Sequence, residues 1–307
     1  MQIVPTKEQI NSWIRNFVPE QDLFFLEEND LGIFEEYLSE VLVVPVEEFF
    51  NHSFYKQIQF INSYMYWTIS SKVKYVLVAQ PGWISNLPRQ KKKDLLDRQI
   101  NLGTGLIFPL SIFSSTEHMP KEYIVYGNED MNENIKKYIG DKKEEFVVIR
   151  NDVWNNLPYT MKVNAITAYA QIWDDWTVHD FPPQTPNHIV KYGNKFTTLA
   201  GSNCLAATLF AITGKDWIIN EWVHPETFLN GLHRANYCVT NDNIRKGDVV
   251  TWVDKDHVVK HASYHINNNL FFNKNGQTYF EPWKIIGFEQ LNELWSGYKI
   301  NVYRKSY

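Results

Sequence analysis

Cysteine is scarce: the 307 residues contain two, Cys204 and Cys238. Two thiols exclude a disulfide scaffold, and the absence of any C-x-x-C pair removes the usual signature of structural zinc. Positive charge is not in excess either. Thirty Lys and Arg against 35 Asp and Glu leave a net charge of −5, which argues against a protein that coats nucleic acid. Long apolar runs are missing. LIFPLSIF at 106–113 falls far short of the roughly 20 residues that span a bilayer. The opening MQIVPTKEQINSW lacks the basic-then-apolar plan of a signal peptide. The expectation is a cytoplasmic protein with no nucleic-acid or membrane partner, in which the Asn51-His52-Ser53 sequon is a chance match.

Apolar residues make 44% of the chain and charged residues 21%, a composition that folds and excludes a disordered or fibrous chain. Aromatic residues are plentiful at 15%, with tryptophans from Trp13 to Trp295. Large rings serve most simply as core, and the alternative is a stacking surface for sugars or other flat ligands. Their irregular intervals give no sign of a tandem repeat.

Residues 6–18 place Ile10, Trp13, Ile14 and Phe17 on one helical face, with Thr6 in position to cap and Pro19 to stop it. VKYVLVA at 73–79 reads as a buried strand closed by Pro81-Gly82. A helix is expected from Pro88 to near Gly103, and its Lys91-Lys92-Lys93 run reads as a solvated face. Strands at 123–126 and 146–150, with a helix over about 130–139 between them, suggest a small α/β layer. Another helix covers 157–174, and HDFPPQTPNH at 179–188 is the best linker. The expectation is therefore an N-terminal α/β or mostly helical region, 1–180, and a compact domain, 181–307.

The chemistry concentrates in the second part. GSNCLAATLFAITG at 201–214 reads as a buried helix with Ser202 or Asn203 as N-cap and Gly214 beyond its end. Cys204 then sits in the first turn, where the helix dipole favours a thiolate and the local N–H groups favour an oxyanion. Downstream, GDVVTWV at 247–253 reads as a strand, and HASYHI at 261–266 as another. An asparagine turn at 267–269 brings LFFNKN, 270–275, back as an antiparallel partner. His261, Ser263 and His265 share one face, and Phe271, Asn273 and Asn275 share a face of the return strand. A thiol on a helix, an imidazole on a strand and a polar group to orient it make a nucleophile, base and positioning set.

These residues resemble the NlpC/P60-like branch of papain-fold cysteine peptidases and amidases. The match lies in the N-C-L-A-A helix, the Gly247-Asp248-Val249-Val250 strand, and a hairpin in which Asn273 follows His261 by twelve positions. It covers roughly 185–285, with Asn203 where the family usually has Asp and asparagines where its hairpin has glycines. The resemblance implies an α+β, papain-like domain with Cys204 as nucleophile, His261 as general base and Asn273 as the orienting residue. It further implies a thiol hydrolase acting on a peptide or small amide, with acyl transfer as the chemical alternative and a non-catalytic binding protein as the alternative of another class. No cofactor is expected. Asn275 and Glu281 stand as substitutes for Asn273.

Cys204 also has a plainer reading as a small core residue, and Cys238 reads as structural. His257, His261 and His265 recur every four residues, a zinc spacing on a helix. On a strand that interval spans about 13 Å, too far for one ion, so no metal is expected. Asp174, Asp175 and Asp180 read as decoration of a helix end and the linker rather than as an acidic metal site.

Overall fold

The computed structural model describes residues 1–113, 115–139 and 144–306. It mixes helices with antiparallel sheets, an α+β protein. The chain forms two compact units, Ile10–Ile172, and Met1–Gln9 together with Trp173–Tyr307.

In the Ile10–Ile172 unit, strands β1 (Asp22–Leu26), β2 (Leu42–Pro45) and β3 (Tyr75–Ala79) pair in the order β1-β3-β2. Strands β4 (Ile107–Pro109), β5 (Ile124–Tyr126) and β6 (Glu145–Val148) pair in the order β4-β6-β5. Every pairing is antiparallel. The expected α/β layer is thus corrected. The Glu133–Ile139 helix between β5 and β6 is an excursion between antiparallel neighbours, not a crossover between parallel ones. The Arg89–Leu102 helix ends at Gly103 in the left-handed conformation, φ 77°. Its buried Gln99 amide both accepts from the Phe25 N–H, at 2.9 Å, and donates to the Phe25 carbonyl, at 3.1 Å. A side chain thereby satisfies the outer edge of β1.

The second unit begins at Trp173, ahead of the proline-rich stretch. Trp176 Nε1 donates to the Phe280 carbonyl at 2.9 Å, and the Asp174 carboxylate pairs with Lys284 at 2.6 Å. The first residues join the same unit, Val178 donating to the Met1 carbonyl. These commitments make 179–188 a part of this unit: His179 donates to the Ile285 carbonyl, and a helix, Asn187–Tyr192, starts within the stretch.

Its six-stranded sheet consists of β7 (Tyr237–Thr240), β8 (Val249–Val253), β9 (Val259–Asn267), β10 (Leu270–Asn273), β11 (Lys284–Gly287) and β12 (Lys299–Lys305). The order is β11-β10-β9-β8-β12-β7, antiparallel throughout. One face packs Val249, Val253, Val259 and Ala262 against the helices Cys204–Thr213 and Pro225–Arg234. Those helices approach closely where Gly231 faces Leu209; a Cβ on Gly231 would lie 2.8 Å from a Leu209 methyl. The other face packs Val250, Trp252, Phe271 and Ile286 against Leu291 of the Phe288–Leu294 helix. The aromatic richness is mostly core, as in the stack of Phe108 on Tyr169 at 4.2 Å.

In the G-D-V-V element Gly247 adopts φ 90°, and buried Asp248 accepts from Arg304 Nε at 3.0 Å and Nη2 at 2.8 Å. The aspartate thereby ties β8 to β12. The β9–β10 turn has Asn268 and Asn269 at φ 50° and 58°. Two left-handed residues make the tight turn whose twist matches its strands, and asparagine tolerates that conformation second only to glycine. One consequence is measurable by urea unfolding. Asn269→Gly is expected to change stability by less than about 0.5 kcal/mol, whereas Asn269→Val costs about 1–2 kcal/mol. Equal stability of the two variants would contradict the turn geometry.

Candidate active site

Asn203 precedes the Cys204–Thr213 helix in an extended conformation and caps it, its Oδ1 accepting from the Ala206 N–H at 3.0 Å. Its Nδ2 donates to the Val223 carbonyl at 2.8 Å. A carboxylate accepts but cannot donate, so asparagine satisfies both ends where the resembled family's aspartate would satisfy one. Gly214, φ 66°, terminates the helix in the left-handed conformation. Eight of its ten residues are buried, Cys204 to Ala211, as in a helix enclosed on all sides.

The Cys204 sulfur is buried at this helix start, and the backbone N–H groups of Ala262, Leu205 and Cys204 favour its charged form. Helix position is expected to lower the thiol's pKa. Burial outweighs it: desolvation pushes the thiol up to about 11, against the N–H donors and the nearby Lys274 ammonium, which pull the other way. Cys204 rests as a thiol.

Ala262 directly follows His261 on β9, and the two side chains point to opposite faces of the sheet, Ala262 toward the cysteine helix. The His261 ring lies on the Trp252 side of the sheet. It stacks on Trp295, centroids 4.3 Å apart and planes 12° apart, with Trp252 tilted at 5.4 Å. His261 Nε2 is 2.8 Å from Asn273 Oδ1, and Ser263 Oγ donates to the same oxygen at 2.5 Å. The Oδ1 accepts, so Nε2 carries the proton and Nδ1 presents its lone pair. Among the described residues Nδ1 has no hydrogen-bond partner, Cys204 included. Full burial depresses the imidazole to about 3, although the Asn273 bond raises it. Both members of the pair are neutral at rest.

A bulge fixes this arrangement. Leu270 pairs with Asn267, but Phe271 pairs with His265, leaving Ile266 as an extra residue on β9. Without that extra residue Phe271 would pair with Ile266 and Asn273 would turn to the helix side, away from His261. With it, Asn273 reaches Ser263 and His261 on one face.

Behind Asn273 lies a buried polar group. Asn273 Nδ2 donates to Asn275 Oδ1 at 2.7 Å, and Asn275 Nδ2 donates to Asp174 Oδ2 at 2.9 Å. Lys274 points to the helix side, donating to the carbonyls of Thr278 and Glu281 at 2.8 Å each. Desolvation lowers the ammonium to about 8, against the attraction of Glu281, Asp174 and Cys204. Burial raises Glu281, whose Oε2 accepts from the Thr278 N–H and hydroxyl at 3.0 Å. Glu281 is thus occupied with its own turn. Asn275 orients Asn273 rather than the imidazole.

The other candidates are placed elsewhere. His257 sits in the turn before β9, φ 61°, and His265 packs against Phe271 at 4.8 Å. Asp174 is ion-paired with Lys284, and Cys238 is exposed on β7. Among the described residues, no group of three or more His, Cys, Asp and Glu is placed to hold a metal. Ser263, Lys274, Trp295 and Asp174 enter the site without having been singled out for it. Strand alternation signals the first two; the other two come from distant segments that no local pattern connects. Comparison with protein-family models, curated proteins and solved structures finds no match to this chain.

Two measurements follow from the neutral pair. Iodoacetamide at neutral pH is expected to label exposed Cys238 first, with Cys204 labelling rising only toward pH 11 in the free protein; equal rates at pH 7 would contradict a buried thiol. The second is stability against pH. The folded imidazole titrates near 3 and an unfolded one near 6.5, so its contribution is whole above about pH 6.5 and declines as pH falls toward 3. Urea midpoints should drop over that interval, and less steeply in His261→Gln. An unchanged slope in that variant would contradict the assignment.

Proposed function

We propose that the chain is a thiol hydrolase of the papain-like, NlpC/P60-like kind, cleaving an amide, peptide or isopeptide bond through an acyl-enzyme on Cys204. The observation that carries this reading is the His261 Nε2 to Asn273 Oδ1 bond, which leaves the Nδ1 lone pair free one residue before Ala262, whose N–H favours the Cys204 thiolate. Cys204, His261 and Asn273 also come in the chain order of the resembled family.

The Cys204 sulfur attacks the substrate carbonyl carbon as His261 Nδ1 takes its proton. N–H groups at the helix start lie against the oxygen of the adduct. The imidazolium then returns the proton to the departing amine as the C–N bond breaks. Water, losing a proton to the same nitrogen, attacks the thioester and releases the acid, restoring the thiol. The transfer starts from neutral thiol and neutral imidazole, so the ion pair forms only as the reaction proceeds. Lys274 supplies a fixed positive charge near the sulfur when it does.

The test is turnover of an amide substrate identified with a thiol-reactive acyl probe. Cys204→Ala and His261→Ala are each expected to lower kcat by more than about 1,000-fold, and the double variant by no more than either alone. Asn273→Ala should retain activity within about 100-fold of the parent, because it only positions the ring. Cys238→Ser should behave as the parent. Full turnover by folded Cys204→Ala would overturn the proposal and favour a non-catalytic binding protein.

A further inference from the structure

The two amides between His261 and Asp174 have a direction, and that direction has a source. Asp174 is 174 residues into the chain, yet its side chain is wholly buried in the C-terminal unit. Its Oδ1 accepts from Lys284 Nζ at 2.6 Å and from the Trp176 N–H at 2.9 Å. Its Oδ2 accepts from Asn275. An ionised carboxylate can only accept, so it obliges Asn275 to present its NH₂ end. The carbonyl end of Asn275 must then face Asn273 and accept from its NH₂. That in turn sends Asn273 Oδ1 to His261, where an acceptor requires the proton on Nε2. Reversing any one amide would set two donors, or two acceptors, against each other in a buried site.

We propose that Asp174 is the positioning residue of this site: its charge, passed through the Asn275 and Asn273 amides, selects the Nε2–H tautomer of His261 and so frees Nδ1 to act as the base. The proposal deepens the hydrolase reading, since the freed nitrogen matters only if His261 is the base. Ser263 works in the same sense, because its hydroxyl donates to the Asn273 oxygen and favours the same amide orientation. Lys284 pairs with the carboxylate and fixes one of its oxygens, leaving the other for Asn275. The nearby Lys274 and Glu281 pair with their own turn and do not enter the line.

The tautomer is observable without turnover. In protein carrying ¹⁵N-histidine, long-range ¹H–¹⁵N spectra assign the proton to Nδ1 or Nε2, and His261→Gln identifies the signal. The parent is expected to show the Nε2–H form alone. Asp174→Asn places an amide that can donate as well as accept, so the line can reverse, and the Nδ1–H form should appear in at least about one molecule in ten. Asn275→Leu cuts the line while leaving the Asp174–Lys284 pair intact, and carries the same expectation if Asp174→Asn does not fold. Asn275→Asp is expected to keep the parent tautomer, because a carboxyl sharing a proton with Asp174 still accepts from Asn273. On the acyl-probe substrate, Asp174→Asn and Asn275→Leu should each lose about tenfold or more in kcat/KM, with Asn275→Asp closer to the parent.

Retention of the pure Nε2–H form in folded Asp174→Asn, or in folded Asn275→Leu, overturns the proposal, as does loss of that form in Asn275→Asp. The tautomer shifts as expected in a protein without any turnover would uphold the line of amides and overturn the hydrolase reading instead.

Discussion

The β9–β10 hairpin carries the constraint on which the site depends. Two asparagines in the left-handed conformation turn the chain, and Ile266 is inserted as an extra residue on one strand. Side chains alternate across a sheet with period two, so this single insertion decides which face every residue of β10 occupies. It puts Asn273 with His261 and Ser263 on one side, and leaves Lys274 for the other, near the Cys204 sulfur. The same sheet gives one face to the Cys204–Thr213 helix and the other to Trp252 and Trp295.

Desolvation then sets the resting charge state. Water is excluded from the sulfur by the packed helix and from the imidazole by the indole stacked on it. Each group is held in its uncharged form, the thiol near 11 and the imidazole near 3. Local N–H donors and a buried ammonium oppose this at the sulfur without overcoming it. Such a site stores no thiolate.

Much of this was legible one element at a time. The spacing of apolar residues and the Asn203 and Gly214 signals predict the cysteine helix, and the β-branched and aromatic runs predict β3, β8, β9 and β10. Thr6 caps its helix, exchanging hydrogen bonds with Gln9. Pairing direction was less accessible: strand–helix alternation between 123 and 150 suggests a small α/β layer, whereas the strands pair antiparallel in threes. The boundary likewise moves from the prolines to Ile172 and Trp173, because the intervening side chains are bonded into the second unit.

The sequence by itself determined which residue types could do chemistry and on which elements they lie: a cysteine opening a helix, a histidine on a strand, an asparagine twelve residues on. These are local properties, written in period, capping and turn residues. Tertiary structure decided the bulge at Ile266, the protonation states and the link from Asn275 to Asp174 a hundred residues earlier. Register is a competition between two strands, desolvation depends on everything packed around a group, and a contact between distant segments exists only after folding. None of the three is encoded in any single stretch of the chain.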